Sequence, residues 1–87
     1  MRYFEFDEKK SDSNLNKHGI DFVSAQELWN DPDLVEIQAT LDAEPRFLLI
    51  ARIKNKHWSP VITYRESKIR IISVRRSRKS EVELYEI

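Results

Sequence analysis

The sequence predicts an α+β domain: one antiparallel sheet, two N-terminal helices and a short C-terminal helix, in the order βααββββα. Three observations predict it. Apolar residues recur at helical spacing before residue 30, and in alternating or short continuous runs after residue 34. Turn residues punctuate these segments: Gly19, the only glycine, then Asn30-Asp31-Pro32, then Glu66-Ser67. Consecutive short strands with brief turns pair as hairpins, and helices then pack on one face of the sheet.

The elements follow in order. Tyr3–Phe6 alternates and reads as an edge strand. Asp7 is an N-cap, because its carboxylate accepts from the free amides of a first helical turn. That helix runs to about His18, and Gly19 supplies the left-handed residue that ends it. The helix is polar, with Leu15 as its main anchor. Asp21 caps a second helix, whose stripe of Phe22, Ala25, Leu28 and Trp29 is core. Asn30-Asp31-Pro32 stops it. Val35–Thr40 is a weak strand and Phe47–Ile53 the strongest apolar run. Trp58–Arg65 follows, with Pro60 confined to its start or to a sheet edge. Glu66-Ser67 makes a tight turn into Lys68–Arg76. Arg78–Glu86 closes the chain as a helix with Val82 and Tyr85 facing inward.

Composition narrows the function. Eighty-seven residues suit one domain, residues 1–87, with one modest core. No cysteine is present, so disulfides, zinc thiolates and cysteine nucleophiles are excluded. No apolar run spans a bilayer and the N-terminus lacks a signal-peptide core, so a cytoplasmic protein is expected. The net charge of zero conceals a polarity. Residues 1–45 carry four Lys/Arg against eleven Asp/Glu, whereas residues 46–80 carry eleven Lys/Arg against Glu66 alone. A basic face of this kind suits nucleic acid, RNA first.

Arg75 and Arg76 end the last strand, with Arg78 and Lys79 just beyond. Guanidinium groups suit bidentate recognition of phosphate. Their alternative is ion pairing with the acidic N-terminal half. The pair points to opposite faces if the pleat persists and to one rim if a turn intervenes. Asn14, Lys17 and His18 share one helix face, and histidine is a residue type suited to proton transfer. The alternative for a histidine at a helix end is a capping or packing role. His57 reads as a solvated turn residue. Alternation puts Arg65 with Val61 and Thr63, and Arg70 with Ile72 and Val74. Tyr64 and Tyr85 suit base stacking or core packing. Arg78 and Lys79 at a helix start oppose its dipole, as ligand-binding residues sometimes do. No metal-ligand spacing, Gly-rich phosphate loop or Ser-His-Asp set is present, and no cofactor is expected.

Two segments carry a family likeness. FEFDEKKSDSNLNKHGIDFVSAQELWNDP resembles the N-terminal signature of BrnT-type toxins, with its N-x-x-K-H-G-[IV]-x-F centre and D-P stop. IRIISVRRSRKSEVELYE resembles their C-terminal R-I-I-S-A-R-R and charged helix, with Val74 where alanine is usual. The middle hairpin departs from the pattern: Lys54-Asn55-Lys56-His57 stands where a glycine is usual.

The resemblance implies a RelE/ParE-like fold and a metal-independent ribonuclease toxin of a type II toxin–antitoxin system. It implies a BrnA-like ribbon-helix-helix antitoxin, in a 2:2 complex that binds operator DNA. Asn14, Lys17, His18 and Gly19 fall on the first motif; Arg70, Ser73, Arg75 and Arg76 fall on the second. The expected chemistry is attack by the RNA 2′-hydroxyl, with Arg75, Arg76, His18 and Lys17 as catalytic residues. Arg65, Arg70, Asn14, Ser73, Arg78, Lys79 and Tyr85 are the expected RNA contacts. The alternative is a non-catalytic nucleic-acid-binding or co-repressor module.

Overall fold

Asp7 Oδ1 accepts from the amides of Lys9 and Lys10 at 2.8 and 3.2 Å, and helix α1 (Glu8–His18) starts there. It ends at Gly19, whose φ of 82° lets its amide close onto Leu15. These bounds come from the computed structural model, which describes residues 3–40 and 43–87. The other elements are β1 (Phe4–Glu5), a 3₁₀ helix (Ser24–Asn30), β2 (Val35–Gln38), β3 (Phe47–Ile53), β4 (Lys56–Arg65), β5 (Lys68–Arg76) and α2 (Lys79–Tyr85).

The fold is α+β, but two expectations need correction. The second helix is a 3₁₀ helix, so the order βααββββα, with two N-terminal α-helices, does not hold as stated. Asp21 does bond the Ser24 amide at 2.7 Å, yet Val23 stands at the cap position. Phe22, Ala25, Leu28 and Trp29 are buried as the stripe requires. The five strands lie in the order β1-β5-β4-β3-β2, and the sheet is mixed. β1 runs parallel to β5, because α1 and the strands that follow carry the chain across before β5 returns beside it. The remaining neighbours are antiparallel.

Pro60 is a third correction. It is buried in β4, a central strand, and not at a start or an edge. Proline has no N–H to give a ladder. The pairing with β3 lapses at Ser59 and Pro60, between Leu48↔Val61 and Ala51↔Trp58.

One face of the sheet holds the core. Leu49, Ala51, Trp58, Ile62, Ile71 and Val74 pack there against Ile20, Phe22, Leu28 and Trp29. Phe4 meets Trp29 edge-on and Phe6 meets Phe22 likewise, which seats the short β1 despite its two residues. Ile50 belongs to the other face, where it is buried on the side that carries α2. No described helix is long and apolar enough to cross a membrane.

Candidate functional site

A β-bulge in β5 organises the site. Ile62 pairs with Ile71 and Val61 with Ser73, so Ile72 is an extra residue. The bulge reverses the alternation that the sequence suggests. Before it, Ile71 faces the core opposite Ile62; after it, Val74 takes that face opposite Pro60. Arg70, opposite Thr63, therefore lies on the other face from Val74, and shares that face with Ser73 and Arg75. Periodicity cannot count an unpaired residue, so the grouping of Arg70 with Val74 fails. Bulges commonly re-aim side chains beside functional sites.

Helix α1 closes the edge of β5 where the short β1 stops. Asn14 Nδ2 donates to the carbonyls of Ile20 and Val74, both at 2.8 Å, and the Val74 amide donates to Asn14 Oδ1 at 3.0 Å. Asn14 is buried, and both its amide hydrogens are used. The expected RNA contact thus goes into fixing the helix on the bulge. Ser11 assists by accepting from the Phe22 amide at 2.9 Å.

This clamp assembles residues from the two ends of the chain. Lys17 and His18 from α1, and Ile72 and Ser73 from the bulge, line one open cavity of about 180 Å³. Lys10 and Ser13 complete its rim with Asn14, and no carboxylate lines it. Lys10 and Ser13 were not expected at a site; the signal was available, since Lys10, Asn14 and Lys17 recur along one helix face. Lys17 and His18 are exposed.

Arg75 and Arg76 diverge, because the pleat persists to the end of β5. Arg75 pairs across the sheet with Ser59, and Arg76 with Trp58. Arg75 grips Glu81 of α2 in a bidentate pair, both bonds at 2.8 Å. Its partner is thus in the C-terminal helix, and not in the acidic N-terminal half. Glu81 also accepts from Ser59 Oγ at 3.0 Å and from the Arg78 amide at 2.8 Å. The Arg75 guanidinium holds the Glu81 carboxyl down at about 2, against the opposing effect of burial. Arg76 is exposed, and its guanidinium lies 5.4 Å from the Trp58 ring centre. It has no acidic partner among the described residues.

The remaining expected contacts scatter. Arg65 pairs with Glu44 at 3.0 Å and Arg70 with Glu5 at 3.0 Å. Tyr85 is buried and donates to Asp31 Oδ2 at 2.7 Å, so its ring serves the core side of α2. Burial and that bond push its hydroxyl up to about 12. Burial raises the Asp31 carboxyl, but bonds from the Asp33 amide, the Tyr85 hydroxyl and the Arg52 amide outweigh it and leave it lowered. Tyr64 donates to Glu36 at 2.8 Å and meets Phe47 edge-on. Arg78 and Lys79 are exposed at the start of α2, where Glu81 bonds the Arg78 amide and offsets their unfavourable charge. His57 is not solvated: it packs edge-on against Tyr85 at 4.9 Å, and its buried Nε2 lacks a hydrogen-bond partner. Among the described residues no three His, Asp or Glu side chains cluster as metal ligands would.

No curated protein matches the chain by sequence. A family model described as the ribonuclease toxin, BrnT, of type II toxin-antitoxin systems matches residues 6–81. That span takes in α1, the bulge and both arginines, and the chain belongs to the BrnT family of ribonuclease toxins.

Proposed function

We propose that this chain cleaves RNA without a metal, at the cavity between α1 and the β5 bulge. The observation that carries the reading is the meeting of Lys17 and His18 with Ser73 around one cavity that no carboxylate lines. RNA brings its own nucleophile. The 2′-hydroxyl oxygen bonds to phosphorus as the bond from phosphorus to the 5′-oxygen breaks, leaving a 2′,3′-cyclic phosphate. His18 accepts the hydroxyl proton and Lys17 delivers one to the departing oxygen. Lys10 and the Ser73 hydroxyl stabilise the charge that builds on the phosphoryl oxygens. Arg76 is the arginine free to hold a flanking phosphate, while Arg75 secures α2. Arg65, Arg70, Arg78 and Lys79 contribute field and peripheral phosphate contacts.

The family implies an antitoxin partner. In our reading it is a ribbon-helix-helix protein, and two copies of each chain assemble through the antitoxin's own dimer. The deciding experiment is incubation of the purified chain with RNA in excess EDTA. Products ending in cyclic phosphate are expected, with loss of at least about tenfold in His18→Ala, the scale of general acid–base catalysis. The wild-type rate should depend on pH, and that dependence should change in His18→Ala. A flat profile together with an undiminished His18→Ala variant overturns the assignment. Binding without cutting favours the co-repressor alternative.

A further inference from the structure

A second cavity, of about 470 Å³, lies between the 3₁₀ helix and the β3–β4 hairpin. His18 lines the proton-transfer cavity, and Gly19, the next residue, lines this one. Resting on the ribonuclease reading, we infer that this second cavity is a subsite for one unpaired RNA base next to the scissile phosphate, with preference for a base bearing an exocyclic amino group.

Four observations support the inference. The walls are apolar: Ile20, Ile53 and Trp58 contribute to them. Unpaired bases are recognised by apolar or aromatic walls with a few polar groups at their edges. The opening is cationic, from Lys54 and Lys56 on the β3–β4 hairpin, and neither has an acidic partner among the described residues. Those charges suit the phosphates on either side of the base, as does Arg76 on Trp58.

The polar groups select a base and reject a phosphate. Glu27 lines the cavity, and its carboxylate repels a phosphate seated inside. A carboxylate accepts instead from an exocyclic amino group, as it does from cytosine N4. Asn55 lines the same space, its side chain has no hydrogen-bond partner among the described residues, and an amide both donates and accepts. Uracil offers no amino group to Glu27 and is disfavoured.

The test is fluorescence titration of short RNA strands made uncleavable by one 2′-deoxy sugar, each with 2-aminopurine at one position. One position beside the deoxy sugar should change its emission on binding. Ser24→Trp, which fills the cavity from the exposed start of the 3₁₀ helix, should abolish that change and weaken binding about fivefold, within the range of one base contact. Asn55→Ala, on the exposed hairpin, checks the same site without a bulky insertion and should reduce the change. Glu27→Gln should narrow the preference for cytosine over uracil at that position by at least about threefold. Unchanged emission and affinity in both Ser24→Trp and Asn55→Ala overturn the subsite, as does equal binding of cytosine and uracil by the wild type. If the wild type still cleaves RNA in that case, the ribonuclease reading stands alone. If it neither binds nor cleaves RNA, that reading fails and the subsite with it.

Discussion

Asn14 satisfies both backbone polar groups of Val74, donating to its carbonyl at 2.8 Å and accepting from its amide at 3.0 Å. A side-chain amide here does the work of a strand residue. β1 covers β5 only at Ile69 and Arg70, and the edge beyond would otherwise lie unpaired beneath α1. The same amide holds the Ile20 carbonyl, so one residue ties helix, turn and bulge together.

Asn14→Leu, close to Asn in size, should therefore destabilise the fold by about 2–4 kcal/mol, since buried backbone groups are left unmet. Urea unfolding should show a lower midpoint at an unchanged slope. Because Lys17 and His18 ride on α1, the surviving folded fraction should also lose kcat more than it gains KM. A variant as stable as the wild type would remove Asn14 from its structural role.

Acid should loosen α2 through Glu81. Its carboxyl is held at about 2, below its ordinary value of 4.5, first by the Arg75 guanidinium and then by the Arg78 amide and Ser59 hydroxyl. A depressed carboxylate stabilises the fold fully above its unfolded value and loses that contribution as pH falls through the folded one. Stability should drop between about pH 4.5 and 2. Glu81→Gln should be less stable at neutral pH and flatter across that window. An acid profile in Glu81→Gln that parallels the wild type would show that other carboxylates govern the loss.

Much of this was legible in the sequence, for identifiable reasons. Asp7 and Gly19 bounded α1 because cap chemistry is local. β3 and β5 matched their expected limits because apolar runs between charged turns are local too. The bulge at Ile72 was not legible, since a register shift depends on the partner strand, and with it went the facing of Arg70 relative to Val74. The parallel docking of β1 is a long-range pairing that no window of residues encodes. Helical spacing put Lys17 and His18 on one face with Asn14, but their meeting with Ser73 joins two distant segments that no local pattern links, and the partners of Arg65, Arg70 and Arg75 are carboxylates distant in sequence or across a turn.

Backbone conformation gives a paired prediction of opposite sign. Gly19 has φ of 82° in open space, so Gly19→Ala meets no clash and still costs about 1 kcal/mol through the left-handed conformation. Lys54 holds φ of 56° at the β3–β4 hairpin, and there Lys54→Gly should gain roughly 0.5–1 kcal/mol. Thermal unfolding of the two variants should move in opposite directions. A shift of both in the same direction would contradict the backbone account.

The antitoxin gives the last prediction. Three of the eleven cations within residues 46–80 already have a carboxylate partner within the chain, in Glu44, Glu5 and Glu81. The charge that remains for RNA or a partner comes from the others, and from Lys10 and Lys17 on α1. A partner that silences cleavage has to cover those free charges, so we propose that an acidic segment of the antitoxin lies over the α1 cavity. Charge complementarity of this kind accelerates encounter and is screened by salt. Association should slow with ionic strength, and Lys10→Glu with Lys17→Glu should slow it further while abolishing RNA affinity. Arg65→Ala and Arg70→Ala should change the association rate by less than about twofold, since paired surface charges contribute little. Stopped-flow association over a salt series measures each rate, and light scattering of the co-purified complex measures its stoichiometry. A rate indifferent to salt and to both lysines, or a complex that still cuts RNA at full speed, would place the antitoxin elsewhere on the toxin.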